Sequence, residues 1–395
     1  MGADRRRETT GHGFLQLLTA FPVLTSWLTG SLAILAVVFG SLWFPISNET
    51  GNRVSPATIQ TSVDIDFYRM SAKIYFERSG DVVDMALGTY SSAGTSPSVA
   101  PPLFPVLLRL FDYGPENTWP MSLAFVVMGS TLLALWLAVL HRKGLRLPSL
   151  VLVALLPQFA WFTLSVSSDL LFAILTGIFF YLFMDVRERS RLATWIVILL
   201  MVAARTNSLS IVLFFVLHLL IADDRSLRTR IIEAAGLSIG ALIMCAFYIP
   251  SLIGTVEGSM LRFDHFGISL GDYLGGLFPG LPAIVDKPLS WTALLGAKTL
   301  YIVGLRPSFG GIDAPILLLR SLPGLLLLPG LVFLLAKAPR RERAFVVLFV
   351  LPIYVGVTQD RYLFPIMPLL AYYGIQAYST AFGTLIGIRE RLLRR

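Results

Sequence analysis

The sequence predicts an all-α polytopic membrane protein: a bundle of about ten transmembrane helices with two long extracytoplasmic loops carrying short interfacial helices. Three observations lead there. Hydrophobic residues make up 55% of the 395 and charged residues 14%, with a mean hydropathy of +0.73, whereas soluble domains carry about 25% charged residues. Apolar runs of a length that crosses hydrocarbon recur along the whole chain. Lys and Arg collect in alternate connections, as they do in cytoplasmic loops.

The elements follow in order. Arg5–Arg7 precede an apolar run at 25–46, which is longer than the apolar core of a secretory signal and lacks a small-x-small cleavage site after it. It reads as a retained signal anchor. A first outer loop covers 47–117. Spans then fall near 118–140, 147–164, 168–184, 192–205, 207–222 and 232–251. A second outer loop covers 252–317. Within it "WTALLGAKTLYIVGL" (291–305) is apolar but brief and contains Lys298. Counting it as a span would put Lys337–Arg343 outside, so it reads as an interfacial or re-entrant helix. Spans at 318–336, 343–358 and 362–384 complete the bundle, the last interrupted by Pro365 and Pro368. Residues 1–395 therefore read as one multi-span transmembrane domain.

With the N-terminus inside, the inner connections hold 20 of the 32 Lys and Arg and 9 of the 24 Asp and Glu, a net +11 that leaves −3 for the outer side. The overall charge of +8 is thus a topology signal with both termini cytoplasmic, and no nucleic acid is needed to explain it. Long outer loops and short inner ones put the work at the outer face. The single cysteine, Cys245 in "LIMCAFYI", excludes an internal disulfide framework, and four histidines without an HxxxH or CxxC pattern give no zinc site. His218 in "LFFVLHLLI" lies towards the inner half of its span and reads as a helix-packing residue.

Ionisable residues are expensive inside a membrane and usually serve a purpose there. On this topology several reach the outer ends of the spans. Asp64 and Asp66 lie in "SVDIDFYRMS", Asp169 begins the span "SVSSDLLFAIL", and Arg205 follows the next in "AARTNSLSIV". Arg306 precedes the span at 318–336, Arg320 lies at its start, and Arg361 opens the last in "QDRYLFPIMP". A guanidinium fork grips phosphate oxygens, and a carboxylate accepts a proton from an attacking hydroxyl. Each arginine taken alone is equally a simple interfacial anchor. The DxD spacing of Asp64 and Asp66 can also hold Mg²⁺ or Mn²⁺.

"VDIDFYRMSAKIYFERSGD" resembles the start of the first outer loop in GT-C-type glycosyltransferases, multi-span enzymes that take sugars from polyprenyl-phosphate carriers. The matching positions are Asp64, Tyr68, Ala72 and Gly80, the first three on one helix face by their spacing of four. "SVAPPLFPVLLRLF", the stretch from Pro157 to Asp169, "AARTNSLSIVL" and "RYLFPIMPLLAYYG" resemble later family segments, in order. This chain departs from many members in having Ile65 beside the first aspartate, with its second acid at Asp66. The resemblance implies an inverting transfer of a single hexose or pentose from a polyprenyl-phosphate donor to a glycan, lipid or protein acceptor. It implies Asp64 as general base, with Asp66 as rival base or ligand. Arg361 and Arg205 would hold the lipid phosphate, Lys298 and Arg306 would assist, and Tyr68, Asp169 and Tyr362 would support. A lipid-linked glycan polymerase or ligase, and a glycolipid transporter or flippase, are the competing readings. The membrane is either a bacterial cytoplasmic membrane, with the site facing the periplasm, or an ER membrane facing the lumen; short inner loops favour the bacterial one.

Overall fold

A computed structural model describes residues 65–87, 99–112, 119–145, 166–184, 190–248, 278, 280–305, 314–355 and 360–393. Among these the protein is 87% helical and has no strand, in agreement with the all-α expectation. The elements are α1 (Ile65–Glu77), α2 (Ser79–Leu87), α3 (Leu103–Leu110), α4 (Trp119–Arg142), α5 (Ser168–Phe179), α6 (Arg191–Ala204), α7 (Leu209–Ala222), α8 (Leu227–Ala246), α9 (Ala283–Ile302), α10 (Ala314–Lys337), α11 (Arg340–Val355) and α12 (Met367–Leu393). A π-helical turn, Phe180–Met184, continues α5, and 3-10 segments lie at Thr206–Ser208 and Asp360–Ile366. The predicted spans at 25–46 and 147–164 lie outside the described residues, and the other eight each coincide with helix.

Local chemistry sets the helix ends. Ser167, Ser190 and Ser226 are N-caps whose side chains accept from the amides of Leu170, Ala193 and Thr229, satisfying donors that the first turn leaves open. Arg205 ends α6 in extended conformation, φ −156° and ψ 146°, and turns the chain back into α7. Serine hydroxyls hold that turn: Ser208 donates to the Arg205 carbonyl at 2.5 Å and Ser210 to that of Asn207 at 2.7 Å.

Helices α5, α6, α7, α8 and α11 alternate in direction around a phenylalanine core. Phe345 of α11 packs against Phe179 at 5.8 Å and edge-on to Phe180 and Phe214 at 5.3 and 5.4 Å. Phe183 meets Phe215 edge-on at 4.8 Å, and the ring of His218 at 4.9 Å. Offset and edge contacts of this kind add to the stabilisation from apolar burial. Helix α4 runs alongside α5 in the same direction, with Trp136 on Phe180 and Arg142 over Tyr181.

Among the described residues two helices, α8 and the Leu123–Arg142 part of α4, are long and apolar enough to cross a membrane. The 14 residues of α6 or α7 reach about 21 Å at 1.5 Å per residue, short of the ~30 Å hydrocarbon thickness. Several helices nevertheless turn apolar stripes outward. Leu209, Leu213, Leu217 and Ile221 of α7, and Leu192, Ile196 and Leu200 of α6, are exposed at four-residue spacing. Helix α9 is reversed relative to a soluble helix: Asp286, Ser290 and Lys298 are buried while Ile284, Leu289, Trp291 and Leu295 are exposed. It is also longer than the brief apolar element expected at 291–305, because it begins before Pro288. Asp286 secures that start by accepting from the Phe278 amide at 3.1 Å and the Ser290 hydroxyl at 2.9 Å.

Candidate functional site

The site forms at the end of the bundle where α5 and α7 begin and α6 ends. Helix α1 lies across it. Its buried face is Tyr68, Ser71, Ala72 and Ile74, and the stretch around Ala100 fastens it. Tyr75 donates to the Ala100 carbonyl at 2.6 Å, and the Ala100 amide donates to Ser71 Oγ at 2.9 Å. Pro102, already in helical conformation with φ −72° and ψ −26°, starts α3, whose Phe104 packs edge-on to Tyr68 at 4.8 Å. The proline-rich segment therefore braces α1.

Tyr68 reaches past Phe104 to share a hydrogen bond of 2.7 Å with Ser168 Oγ, 100 residues away. Ser168 and Asp169 are the first two residues of α5, and both are buried. A helix N-terminus favours the Asp169 carboxylate, and the Arg205 guanidinium closes an ion pair on it. Arg205 also lies over the Tyr362 ring at 5.1 Å, and Arg361 lies 5.6 Å from the same ring centroid. An aromatic face attracts guanidinium groups, so Tyr362 gathers two arginines around one ring.

Of the residues predicted for the site, Tyr68, Asp169, Arg205, Arg361 and Tyr362 come together here, from four separate segments of the chain. Asp66 sits on α1 away from the buried face, its carboxylate exposed and 3.5 Å from Arg69. Asp64 and Arg306 lie outside the described residues. Lys298 is buried on α9, which packs against the Asp360–Ile366 segment. Its ammonium donates to the Tyr354 carbonyl at 2.6 Å, neutralising the negative end of α11. Among the described residues no three His, Cys, Asp or Glu side chains converge to hold a metal ion.

The opposite end of the bundle carries a second set of charges that sequence reasoning treated only as loop charge. Lys143 and Glu342 pair at 2.5 Å, and Tyr373 donates to the other Glu342 oxygen at 2.6 Å. Arg191 bridges Asp223 at 2.5 Å and Glu233 at 2.9 Å, and Arg225 joins both acids. Arg341 lies 3.7 Å over the Phe183 ring and donates to its carbonyl at 2.5 Å. Among the described residues, the basic loops around Lys143, Arg191, Arg225 and Arg341 thus carry their charges with acids interleaved. No signal in single segments marks which acid meets which base. Neither the protein-family models nor the curated proteins searched match this chain.

Proposed function

We propose that the protein is a multi-pass membrane glycosyltransferase that moves a single sugar from a polyprenyl-phosphate carrier to an acceptor at the outer face of the membrane, with inversion. The observation that carries this reading is the meeting of Arg205, Arg361, Tyr362 and the Asp169 carboxylate at one end of the bundle, which the helix that begins just after Asp64 and contains Asp66 joins through Tyr68. Arg361 and Arg205 hold the carrier's phosphate and stabilise the charge it takes on leaving. Asp169 fixes the Arg205 guanidinium beforehand, so the site does not reorganise during the reaction.

In the reaction the acceptor oxygen forms a bond to the anomeric carbon as the bond from that carbon to the phosphate oxygen breaks. The acceptor's proton passes to the carboxylate of Asp64, with Asp66 the alternative, and polyprenyl phosphate leaves. The membrane reading rests on the apolar stripes turned outward and on the charge set at the opposite end, which marks the cytoplasmic side. A bundle of about ten spans, with two of them in the unassigned segments at 25–46 and 147–164, belongs to the same proposal.

The test is purified protein in lipid vesicles with radiolabelled polyprenyl-phosphate sugars and a panel of glycan, lipid and protein acceptors. Transfer of one labelled sugar per acceptor supports the reading. Movement of the labelled lipid between leaflets without product would instead mark a flippase, and transfer of whole oligosaccharides a ligase.

A further inference from the structure

Two neighbouring residues at the start of α5 hold two different parts of the site. The Ser168 hydroxyl is bonded to Tyr68 of α1 at 2.7 Å. The Asp169 carboxylate holds Arg205, the last residue before the α6–α7 turn. Both residues are buried, with 2% and 5% of their surface exposed, and both are fixed by the Ser167 cap, whose hydroxyl accepts from the Leu170 amide. Tyr68 is itself clamped between this bond and the edge of Phe104.

We infer that Ser168 is a positioning residue: through Tyr68 it sets where α1, with Asp66 in its first turn, stands relative to the arginine that Asp169 fixes. The inference rests on the glycosyl-transfer reading, and gives that site a residue no segment of the sequence singled out. The physical reason is leverage. Helix α1 is anchored along its length by Tyr75 and Ser71 to the Ala100 stretch, but those bonds tie it to a neighbouring loop. The Tyr68–Ser168 bond ties α1 directly to the helix that carries Asp169. Without it α1 keeps its fold and its loop contacts and gains freedom at the end nearest the chemistry. Misplacement by about 1 Å is enough to slow a step by up to 10²-fold.

The experiment uses full-length protein in vesicles of phosphatidylethanolamine and phosphatidylglycerol, with wild type, Tyr68→Phe, Ser168→Ala and the double variant. Steady-state kcat and KM for the labelled polyprenyl-phosphate donor are measured beside thermal unfolding of each. Each single variant is expected to lose roughly 10-fold in kcat with KM for the donor changed by less than about 2-fold, because phosphate binding by Arg205 and Arg361 is untouched. The double variant is expected to be no slower than the worse single one, since both remove the same bond. Additive losses, a rise in KM with kcat unchanged, or a loss that follows the fraction unfolded would overturn the inference. Unchanged kinetics in a protein that does transfer sugar would sink this inference alone, whereas no transfer by wild type would remove the underlying reading as well.

Discussion

Arg205 closes the end of α6 and pairs with Asp169, buried in the first turn of α5. The side chains are 14% and 7% exposed, so removing one partner strands a charge away from water. Asp169→Asn and Asp169→Ala should each destabilise the protein by about 3 kcal/mol. Replacing both members by apolar residues, Asp169→Leu with Arg205→Met, should recover much of that loss while leaving transfer abolished. Thermal unfolding in detergent beside the transfer assay checks this; equal stability of Asp169→Ala and wild type would contradict the pairing.

At the opposite end, Glu342 is buried between Lys143 and Tyr373. Tyr373→Phe removes one bond to a charged oxygen and should cost about 1.5 kcal/mol. Glu342→Ala leaves Lys143 with its ammonium among apolar neighbours and should cost about 3 kcal/mol. Neither residue touches the proposed site, so the folded fraction should keep the wild-type kcat. A kcat loss in fully folded Tyr373→Phe would show that this network does more than hold helices together.

The crossing of α10 and α12 depends on two glycines. A Cβ at Gly330 would overlap the Leu370 carbonyl, and one at Gly374 would overlap the Leu326 carbonyl. Backbones meeting this closely exclude any side chain. Gly330→Leu and Gly374→Val should fail to accumulate as folded protein. Gly296 of α9 has open space around it, so Gly296→Ala should be neutral or stabilise by up to about 1 kcal/mol through helix propensity. Yields and melting temperatures of the three variants read this directly.

Leu213 lies in the middle of the exposed stripe Leu209–Leu213–Leu217–Ile221. If that stripe faces hydrocarbon, Leu213→Arg should raise the free energy of membrane insertion by about 2.5 kcal/mol. The fraction inserted, measured in a glycosylation-reporter assay with α7 as the test segment, should fall accordingly. An unchanged fraction would place the stripe against something other than lipid.

Much of the helix pattern was legible because apolar length and caps are local. The expected span at 192–205 became Arg191–Ala204, bounded by the Ser190 cap and the extended Arg205. The spacing of Tyr68 and Ala72 did put both on the buried face of α1, with Asp66 turned away. What the sequence could not reveal is pairing between distant residues. Nothing in "SSDLL" names Tyr68 as the partner of Ser168, and nothing around Lys298 names the Tyr354 carbonyl as an acceptor for its ammonium. The start of α9 was missed for a physical reason as well. The expected element rests on the apolar stretch at 291–305 alone, whereas Asp286 and Ser290 hold the helix through Pro288 upstream of it.

The most direct measurement is therefore single-turnover transfer from a labelled polyprenyl-phosphate sugar in vesicles, comparing wild type, Asp64→Asn, Asp66→Asn and Arg361→Ala. The account predicts that Asp64→Asn slows the chemical step by at least about 10²-fold at unchanged donor binding. Asp66→Asn should remain within about 10-fold of wild type, and Arg361→Ala should weaken donor binding. Transfer by Asp64→Asn at the wild-type rate would contradict the account.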